Sequence, residues 1–423
     1  MITRADIVER VREWGLREDV VEKDYVLGWV LWGIGNHPLL NTRWVFKGGT
    51  CLKKCYVETY RFSEDLDFTV LPGGPIAVDD VQRVLGEVLS RVRDESGIDF
   101  SVAEPRIRAR PSGNTVEGRI FYRGPRQAPP ASLKLDLSGD EQVVRPPVLR
   151  RIAHPFPDSL PGDGTVRCYS FEEVFAEKIR AMGQRGRPRD LYDIVNLFRR
   201  HDLRLHGDLV RSVLVEKCQA KGIPVPTAGT VGAGPHIEEL ESEWANMLGH
   251  QLPALPPLAS FLAEIPALFS WLDGTLDVVP PAALPLEADE SEDWSPPPTI
   301  ATWRTGVPLE VVRFAATNHL CVDLTYDGTV RTIEPYSLRR TQSGNIVLHA
   351  LRSDTHEHRS YRIDRIAGVR ATTRPFTPTW AIEFSTQGPL AAPRVPRRRA
   401  TRRVTYRSSV GSPRRIARRR RRK

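Results

Sequence analysis

Long apolar runs are missing from this chain of 423 residues. No stretch approaches the roughly 20 apolar residues of a membrane-spanning helix, so no membrane span is expected and a cytoplasmic protein is. Cysteine is scarce, with five residues at 51, 55, 168, 218 and 321. Only Cys51 and Cys55 are close, at helical i, i+4 spacing, and no neighbouring His or Cys pair completes a zinc site. Buried thiols in a reducing compartment are the expectation. The opening MITRADIVERVREWG carries charges throughout, which reads as an amphipathic helix rather than a signal peptide. The P-loop spacing G-x-x-x-x-G-K-[ST] is absent. Acid is lacking from one region: residues 394–423 hold fourteen Arg and one Lys, and no Asp or Glu. Removing those 15 from the 61 Lys and Arg leaves 46 bases against 52 acids, so the formal net charge of +9 conceals a mildly acidic body. A tail of this composition stays disordered and binds polyanions through charge alone.

What is present divides into segments. Residues 6–35 read as two helices, with Val21, Tyr25 and Trp29 marking an apolar face at i, i+4. A strand, RWVF, runs into KGGT, then a helix, CLKKCYV, then a strand around DLDF that PGG closes. VDDVQRVLGEVLSRVRDESG reads as a helix with an Asp cap. Residues 98–138 read as antiparallel strands. The last, SLKLDLS, alternates strictly and puts Lys134, Asp136 and Ser138 on one side. SFEEVFAEKIRAMGQ, capped by Ser170, and RPRDLYDIVNLFRRH, with Pro188 in its first turn, are helices. Helical patterns continue through IEELESEWANMLG and ASFLAEIPALFSWLDG.

The Pro-rich, acidic VVPPAALPLEADESEDWSPPPT has the composition of an extended linker. Beyond it, EVVRFAA, CVDLTYD, TVRTIEPYSLRR, NIVLHALR, HRSYRIDRI and WAIEF read as short strands, with turns at YDG and QSGN, so a small barrel or sandwich is expected. His356 and His358 read as residues of a hairpin turn, THEHR, rather than metal ligands.

RFSEDLDF crowds Glu64, Asp65 and Asp67 into four residues. On a strand, Asp65 and Asp67 share one face while Leu66 and Phe68 take the other. Two carboxylates so placed suit hard cations such as Mg²⁺, which keep waters for phosphate oxygens. KGGT joins a strand to a helix, where backbone N–H groups can approach a phosphate. Gly49 precedes Asp65 by sixteen residues, one helix plus the next strand, which brings the glycine turn and the acidic pair to the same end of adjacent strands. Asp136 can add a third carboxylate.

The glycine turn and DLD strand resemble the signature of the polymerase-β nucleotidyltransferase superfamily. More closely, the chain resembles the AbiEii/AbiGii toxin family of minimal nucleotidyltransferases. The matching blocks are VEKDY (21–25), FKGGT (46–50), RFSEDLDF (61–68), LKLDLS (133–138) and FAEKIRAMGQRGRPRDLYDIVNL (175–197). The resemblance implies an α+β fold, a polymerase-β-like nucleotidyltransferase core over residues 1–200 with a helical cap at 201–274. A linker at 275–300 and a small all-β domain at 301–385 would follow, then a disordered Arg-rich tail at 386–423. That small domain is similar to the WYL domain, an SH3/Sm-like barrel, although Val347, Leu348 and His349 replace the name-giving tripeptide. Tyr336, Arg339, Arg352, Arg362 and Arg365 are candidates for a basic nucleic-acid-facing surface there.

By the same resemblance, Gly48, Gly49 and Thr50 would hold the triphosphate of an NTP, with Arg61, Ser63 and Lys47 nearby. Asp65, Asp67 and Asp136 would hold Mg²⁺, and Lys178 would contact phosphate. Asp190 would join the nucleotide site, and Asp193 would be the last essential acid. Lys134 would add positive charge. The implied activity is Mg²⁺-dependent transfer of a nucleotide to RNA, with the 3′ end of tRNA as the expected acceptor. The setting would be a type IV toxin–antitoxin or phage-defence pair with a winged-helix antitoxin. Nucleotidylation of a protein is the alternative within enzymes. A WYL-type nucleic-acid- or ligand-binding regulator with a vestigial transferase core is the alternative outside them.

The tail generates a direct test. If it neutralises even six phosphates, RNA affinity should fall with salt at a log–log slope of about −4 to −5. Deleting residues 391–423 should flatten that slope and spare the choice of nucleotide and acceptor. RNA titrations at several salt concentrations check this; equal slopes for full-length and truncated protein would remove the tail as an RNA grip.

Overall fold

Thr3 and Asp6 close the start of the first helix reciprocally, the Thr3 N–H donating to Asp6 Oδ2 at 2.7 Å, which satisfies amides that a helix end leaves orphaned. This helix, α1 (Arg4–Trp14), stops at Gly15 in the left-handed region (φ 66°), and α2 (Glu18–Gly35) follows. These are the two helices expected near the N-terminus. α2 is buried from Val20 to Ile34 with only Lys23 half-exposed, because its apolar residues are not confined to one stripe. The computed structural model describes residues 1–57, 61–111, 114–200, 207–234, 236–276, 281–285, 287, 289–290 and 308–384. The Arg-rich tail and most of the expected linker lie outside the described residues.

After α3 (Leu40–Arg43) come β1 (Trp44–Lys47), α4 (Gly48–Cys51), a π-helical turn (Leu52–Tyr56) and β2 (Asp65–Val70). Next is α5 (Val78–Ser96), packed against α2. Its expected Asp cap is not made: Ala77 holds the cap position without a side-chain bond, and Asp79 and Asp80 lie in the first turn. There they still face the positive end of the helix dipole. β3 (Arg106–Ala109), β4 (Thr115–Tyr122), β5 (Ala131–Ser138), β6 (Val148–Arg151) and β7 (Thr165–Cys168) complete a mixed seven-stranded sheet ordered β3-β4-β5-β2-β1-β7-β6. β3, β4 and β5 pair antiparallel, as the alternation of residues 98–138 predicts.

A helical part follows: α6 (Phe171–Arg185), α7 (Pro188–Arg199), α8 (Gly207–Lys221), α9 (Ala228–Gly232), α10 (Ile237–Leu248), α11 (Leu258–Leu262) and α12 (Ile265–Leu272). The Ser170 hydroxyl caps α6 by accepting from the Glu173 N–H at 3.2 Å, and Pro188 opens α7. The ASFLAEIPALFSWLDG pattern divides into α11 and α12 ahead of Pro266, whose ring cannot continue a helix already begun.

EVVRFAA is a helix, not the expected strand: α13 (Leu309–Thr317). Val311, Val312, Phe314, Ala315 and Ala316 are all buried, because α13 is wedged against α1 and the second sheet. Burial on every side erases the 3.6-residue period that separates helix from strand. β8 (Leu320–Tyr326), β9 (Thr329–Arg340), β10 (Ile346–Arg352), β11 (His358–Arg362) and β12 (Ile366–Pro375) form an antiparallel sheet ordered β11-β10-β9-β8-β12, the small all-β part expected. WAIEF forms no strand. It makes a single bridge, Ser337 to Glu383, while Trp380 and Ile382 pack beside Tyr336 and Leu351, so its alternation reflects burial without a ladder. Nor do Tyr336 and Arg339 face nucleic acid. Tyr336 is fully buried, and Arg339 is turned inward onto Glu290, Glu383 and the carbonyls of Leu284 and Pro285.

Most buried apolar residues of both sheets and the helical part form one continuous cluster, with Leu284, Tyr336 and Leu351 in a second, smaller one. All five cysteines are free and buried, as expected, but the fold brings Cys168 beside Cys51 and Cys55. The i, i+4 pair therefore has the thiol neighbour that sequence spacing does not reveal. Within the core, Lys54 Nζ meets Asp24 Oδ2 at 2.7 Å with both side chains sealed from solvent, and it also donates to the Asp24 carbonyl at 2.8 Å. Removing one partner of such a pair strands a buried charge. Asp24→Ala should cost about 3–5 kcal/mol in urea unfolding; a loss below about 1 kcal/mol would show that water reaches the pair.

Candidate active site

β1 and β2 are antiparallel, so the end of one abuts the start of the other and Lys47 lies opposite Asp67. On the far side of β2 runs β5, parallel, pairing Asp67 with Asp136 and Asp65 with Lys134. Leu66, Phe68, Leu135 and Leu137 are buried in the core while Asp65, Asp67 and Asp136 are half-buried. The strand period of two thus places three carboxylates on one face of two adjacent strands.

Gly48 opens α4 directly against this face. Its φ is +79°, and a Cβ there would stand 2.3 Å from Asp67 Oδ2. Both constraints favour glycine, since a side chain would be strained there and would have to displace the Asp67 carboxylate or the turn. A Cβ on Gly49 would stand 2.7 Å from Arg61 Nη2 and 3.1 Å from Ser63 Oγ. Gly48, Gly49, Arg61 and Ser63 are therefore brought together. Thr50 is fully buried, and its hydroxyl donates to the Asp65 carbonyl at 2.5 Å, tying the glycine turn to the DLD strand.

Burial, with Asp65 and Asp136 adding repulsion, pushes the Asp67 carboxyl up to about 6 against the opposing pull of Lys47 and Lys178. Asp136 Oδ2 takes Lys134, whereas its Oδ1 is buried without a hydrogen-bond partner, the Arg110 guanidinium standing off at 3.8 Å. An orphaned carboxylate oxygen beside two further carboxylates is a donor set that fits a hard divalent cation.

A second group lies behind the first. Asp193 accepts two bonds from Arg61, at 2.8 Å from Nε and 3.0 Å from Nη2, and Arg61 Nη1 donates to Gln251 Oε1 at 3.1 Å. Lys178 Nζ lies 2.7 Å from Asp193 and 3.2 Å from Asp190. Arg185 clamps Asp190 at 2.7 and 3.1 Å. Burial alone would raise the Asp193 pKa, yet Arg61 and Lys178 pull it down to about 2. Burial likewise opposes charge on Lys178, and Asp193 and Asp190 overcome it and raise its pKa. Lys178 is thus a buried, charged amine whose field also reaches Asp67. Asp190 is almost wholly enclosed by its two partners.

Two participants escape the sequence. Glu141 pairs with Lys47, whose charge helps hold its carboxyl at about 2 although burial pushes the other way. It sits in the turn after β5, where SGDEQ shows only polar residues and no period. Arg189 is held below its ordinary pKa by burial and by Arg61, feels Asp65 and Asp193, and has a buried Nε with no hydrogen-bond partner. Its only sequence signal is its place beside Asp190.

The family model described as the nucleotidyl transferase AbiEii toxin of type IV toxin–antitoxin systems matches residues 29–273. No curated protein matches the chain. Among solved structures, MenT4, a nucleotidyltransferase toxin from Mycobacterium tuberculosis H37Rv, is 20% identical. That match covers 66% of this chain and 91% of MenT4 at a TM-score of 0.42. JHP933 from Helicobacter pylori is 19% identical over 61% of this chain and 94% of its own, at a TM-score of 0.40.

Asp67 carries a pH signature. A carboxyl whose folded-state pKa is raised to about 6 from an ordinary 3.8 costs stability as pH rises through that window, because the folded state resists ionisation. In metal-free urea unfolding, Asp67→Asn should match the native chain near pH 4 and exceed it above pH 6 by on the order of 1–2 kcal/mol. Millimolar Mg²⁺ should stabilise the native chain and not the variant. A stability difference that ignores both pH and Mg²⁺ would contradict the repulsive trio.

Proposed function

The chain belongs to the AbiEii nucleotidyltransferase toxin family of type IV toxin–antitoxin systems, and on that premise we propose that it transfers a nucleotide from an NTP to RNA, with the 3′ end of tRNA as acceptor. The observation that carries this reading is the abutment of Gly48 on Asp67, because it brings the backbone of the glycine turn directly against the face that holds three carboxylates. Mg²⁺ would be held by Asp65, Asp67 and Asp136, where it would neutralise charge on the oxygens of the transferred phosphoryl group.

The protein's own groups do the rest by position and charge. The backbone of Gly48, Gly49 and Thr50 lines the triphosphate, with Lys47, Ser63 and Arg61 beside it. Lys178 supplies a compact positive charge. Asp193 and Asp190 keep that amine protonated and aimed, and Asp193 also fixes Arg61. An acceptor hydroxyl attacks the α-phosphorus in line, the bond to the bridging oxygen breaks, and pyrophosphate leaves. The proposal extends to a cytoplasmic setting, a winged-helix antitoxin that restrains the enzyme, and a WYL-like, SH3/Sm-like identity for residues 301–385.

Incubation with each labelled NTP, Mg²⁺ and total cellular RNA or protein tests the reading. Label on RNA 3′ ends supports it; label on protein alone, or none with any NTP, overturns it. Asp67→Ala should abolish labelling while the fold persists. Lys178→Ala should lose roughly 2 kcal/mol of transition-state stabilisation, about thirtyfold in kcat/KM. Lys178→Arg should rescue poorly, since a planar fork does not replace a point charge. Full activity in Lys178→Ala would remove its phosphate role.

A further inference from the structure

The second sheet carries a group of metal-ligating side chains that nucleotide transfer does not use. His349 lies in the middle of β10 and is fully buried. His358 opens β11 two residues from the cross-strand partner of His349, Ser360, which makes the two imidazoles diagonal neighbours on one face. Their rings stack at 5.1 Å and 12°, with His349 Nδ1 2.9 Å from His358 Nε2. The other nitrogen of His349, Nε2, lies 2.5 Å from Glu290 Oε1. Neither atom has a regular hydrogen-bond partner, although both are buried. Glu290 Oε2 is fixed by Arg339 Nη1 at 3.1 Å and by the Glu287 N–H at 3.0 Å. The Glu287 carboxylate lies with the two imidazoles, ligand atoms within 4.8 Å of one another.

These contacts determine where protons sit. A bare nitrogen lone pair against a carboxylate is repulsive, so Nε2 of His349 carries the proton that faces Glu290. The lone pair of neutral His349 is then on Nδ1, directed at His358. A carboxylate behind one histidine nitrogen, leaving the other bare, is the arrangement that orients metal-ligating histidines. We propose that Glu287, His349 and His358 form a site for a borderline transition-metal cation of the Zn²⁺ class, with Glu290 and Arg339 orienting His349 from behind. Ligand atoms about 2.0–2.2 Å from a tetrahedral zinc stand about 3.3–3.6 Å apart, so the imidazole nitrogens, 2.9 Å apart here, have to open slightly around an ion and the Glu287 carboxylate has to draw in. The half-exposed His358 and the exposed Glu287 can make both adjustments by rotation. A bound ion would clip the segment carrying Glu287 and Glu290 onto β10 and β11.

The test uses the full chain in millimolar Mg²⁺, which keeps hard-cation sites filled. Zn²⁺ alone is titrated by calorimetry and Co²⁺ alone by absorption. One equivalent of Zn²⁺ should bind, and His358→Ala and Glu287→Ala should each lose it. Glu290→Gln should weaken it about 10–100-fold. His349→Ala alone would not be decisive, because it also opens the core; His358 and Glu287 lie near the surface and carry the test. Co²⁺ should show ligand-field bands without thiolate charge transfer. Zn²⁺ binding that survives both surface variants, a thiolate band pointing to Cys51, Cys55 and Cys168, or no binding at all would overturn the proposal.

Discussion

Arg61 and Asp193 meet through two nearly parallel hydrogen bonds in the protein interior, and the candidate site is arranged around that pair. Arg61 stands four residues ahead of β2, and Asp193 sits within α7, so the pair holds the DLD strand against the helical part. Lys178, Asp190 and the half-exposed Arg185 extend it into a group of three cations and two anions, all but Arg185 buried. Desolvating four of these charges is costly, and apolar side chains of similar volume would often hold a fold as well or better. The group therefore makes most sense as a device for keeping a charged lysine and an arginine in fixed positions. The field of Lys178 reaches Asp67, which shares its strand face with Asp65 and Asp136.

That opposition is what an anionic substrate and a divalent cation would resolve together. Burial, with repulsion from Asp65 and Asp136 added to it, pushes Asp67 up to about 6, while Lys178 and Arg61 hold positive charge in a desolvated place. Between the two groups stands a turn whose first residue has no room for a side chain. Each half is electrostatically poised and each is held by backbone hydrogen bonds and buried ion pairs, so little reorganisation is left for the moment of reaction.

The carboxylate face was legible in the sequence because its determinants are local. A period of two places Asp65 and Asp67 together whatever surrounds the strand, and a glycine turn sixteen residues earlier fits one helix and the next strand. The five sequence blocks fall within or beside the residues that the family model matches. What stayed hidden depends on contacts distant along the chain. Arg61 finds Asp193 across 132 residues and Lys47 finds Glu141 across 94, and no spacing announces either. Cys168 reaches Cys51 and Cys55, and Glu290 reaches His349, only because the sheet and the chain around it fold back. α13 was misread for a related reason: it is enclosed on all sides, so its composition reports burial rather than helical period.

The central claim is that the glycine turn and the carboxylate face are two walls of one nucleotide site. Calorimetric titration of a non-hydrolysable NTP analogue with Mg²⁺ into the native chain and into Gly48→Ala measures this directly. The added Cβ would stand 2.3 Å from Asp67 Oδ2 in a left-handed backbone conformation, so only displacement of the turn or the carboxylate could admit it. The account predicts Mg²⁺-dependent binding to the native chain and its loss in Gly48→Ala, with circular dichroism unchanged. Equal affinity for the two proteins would contradict it.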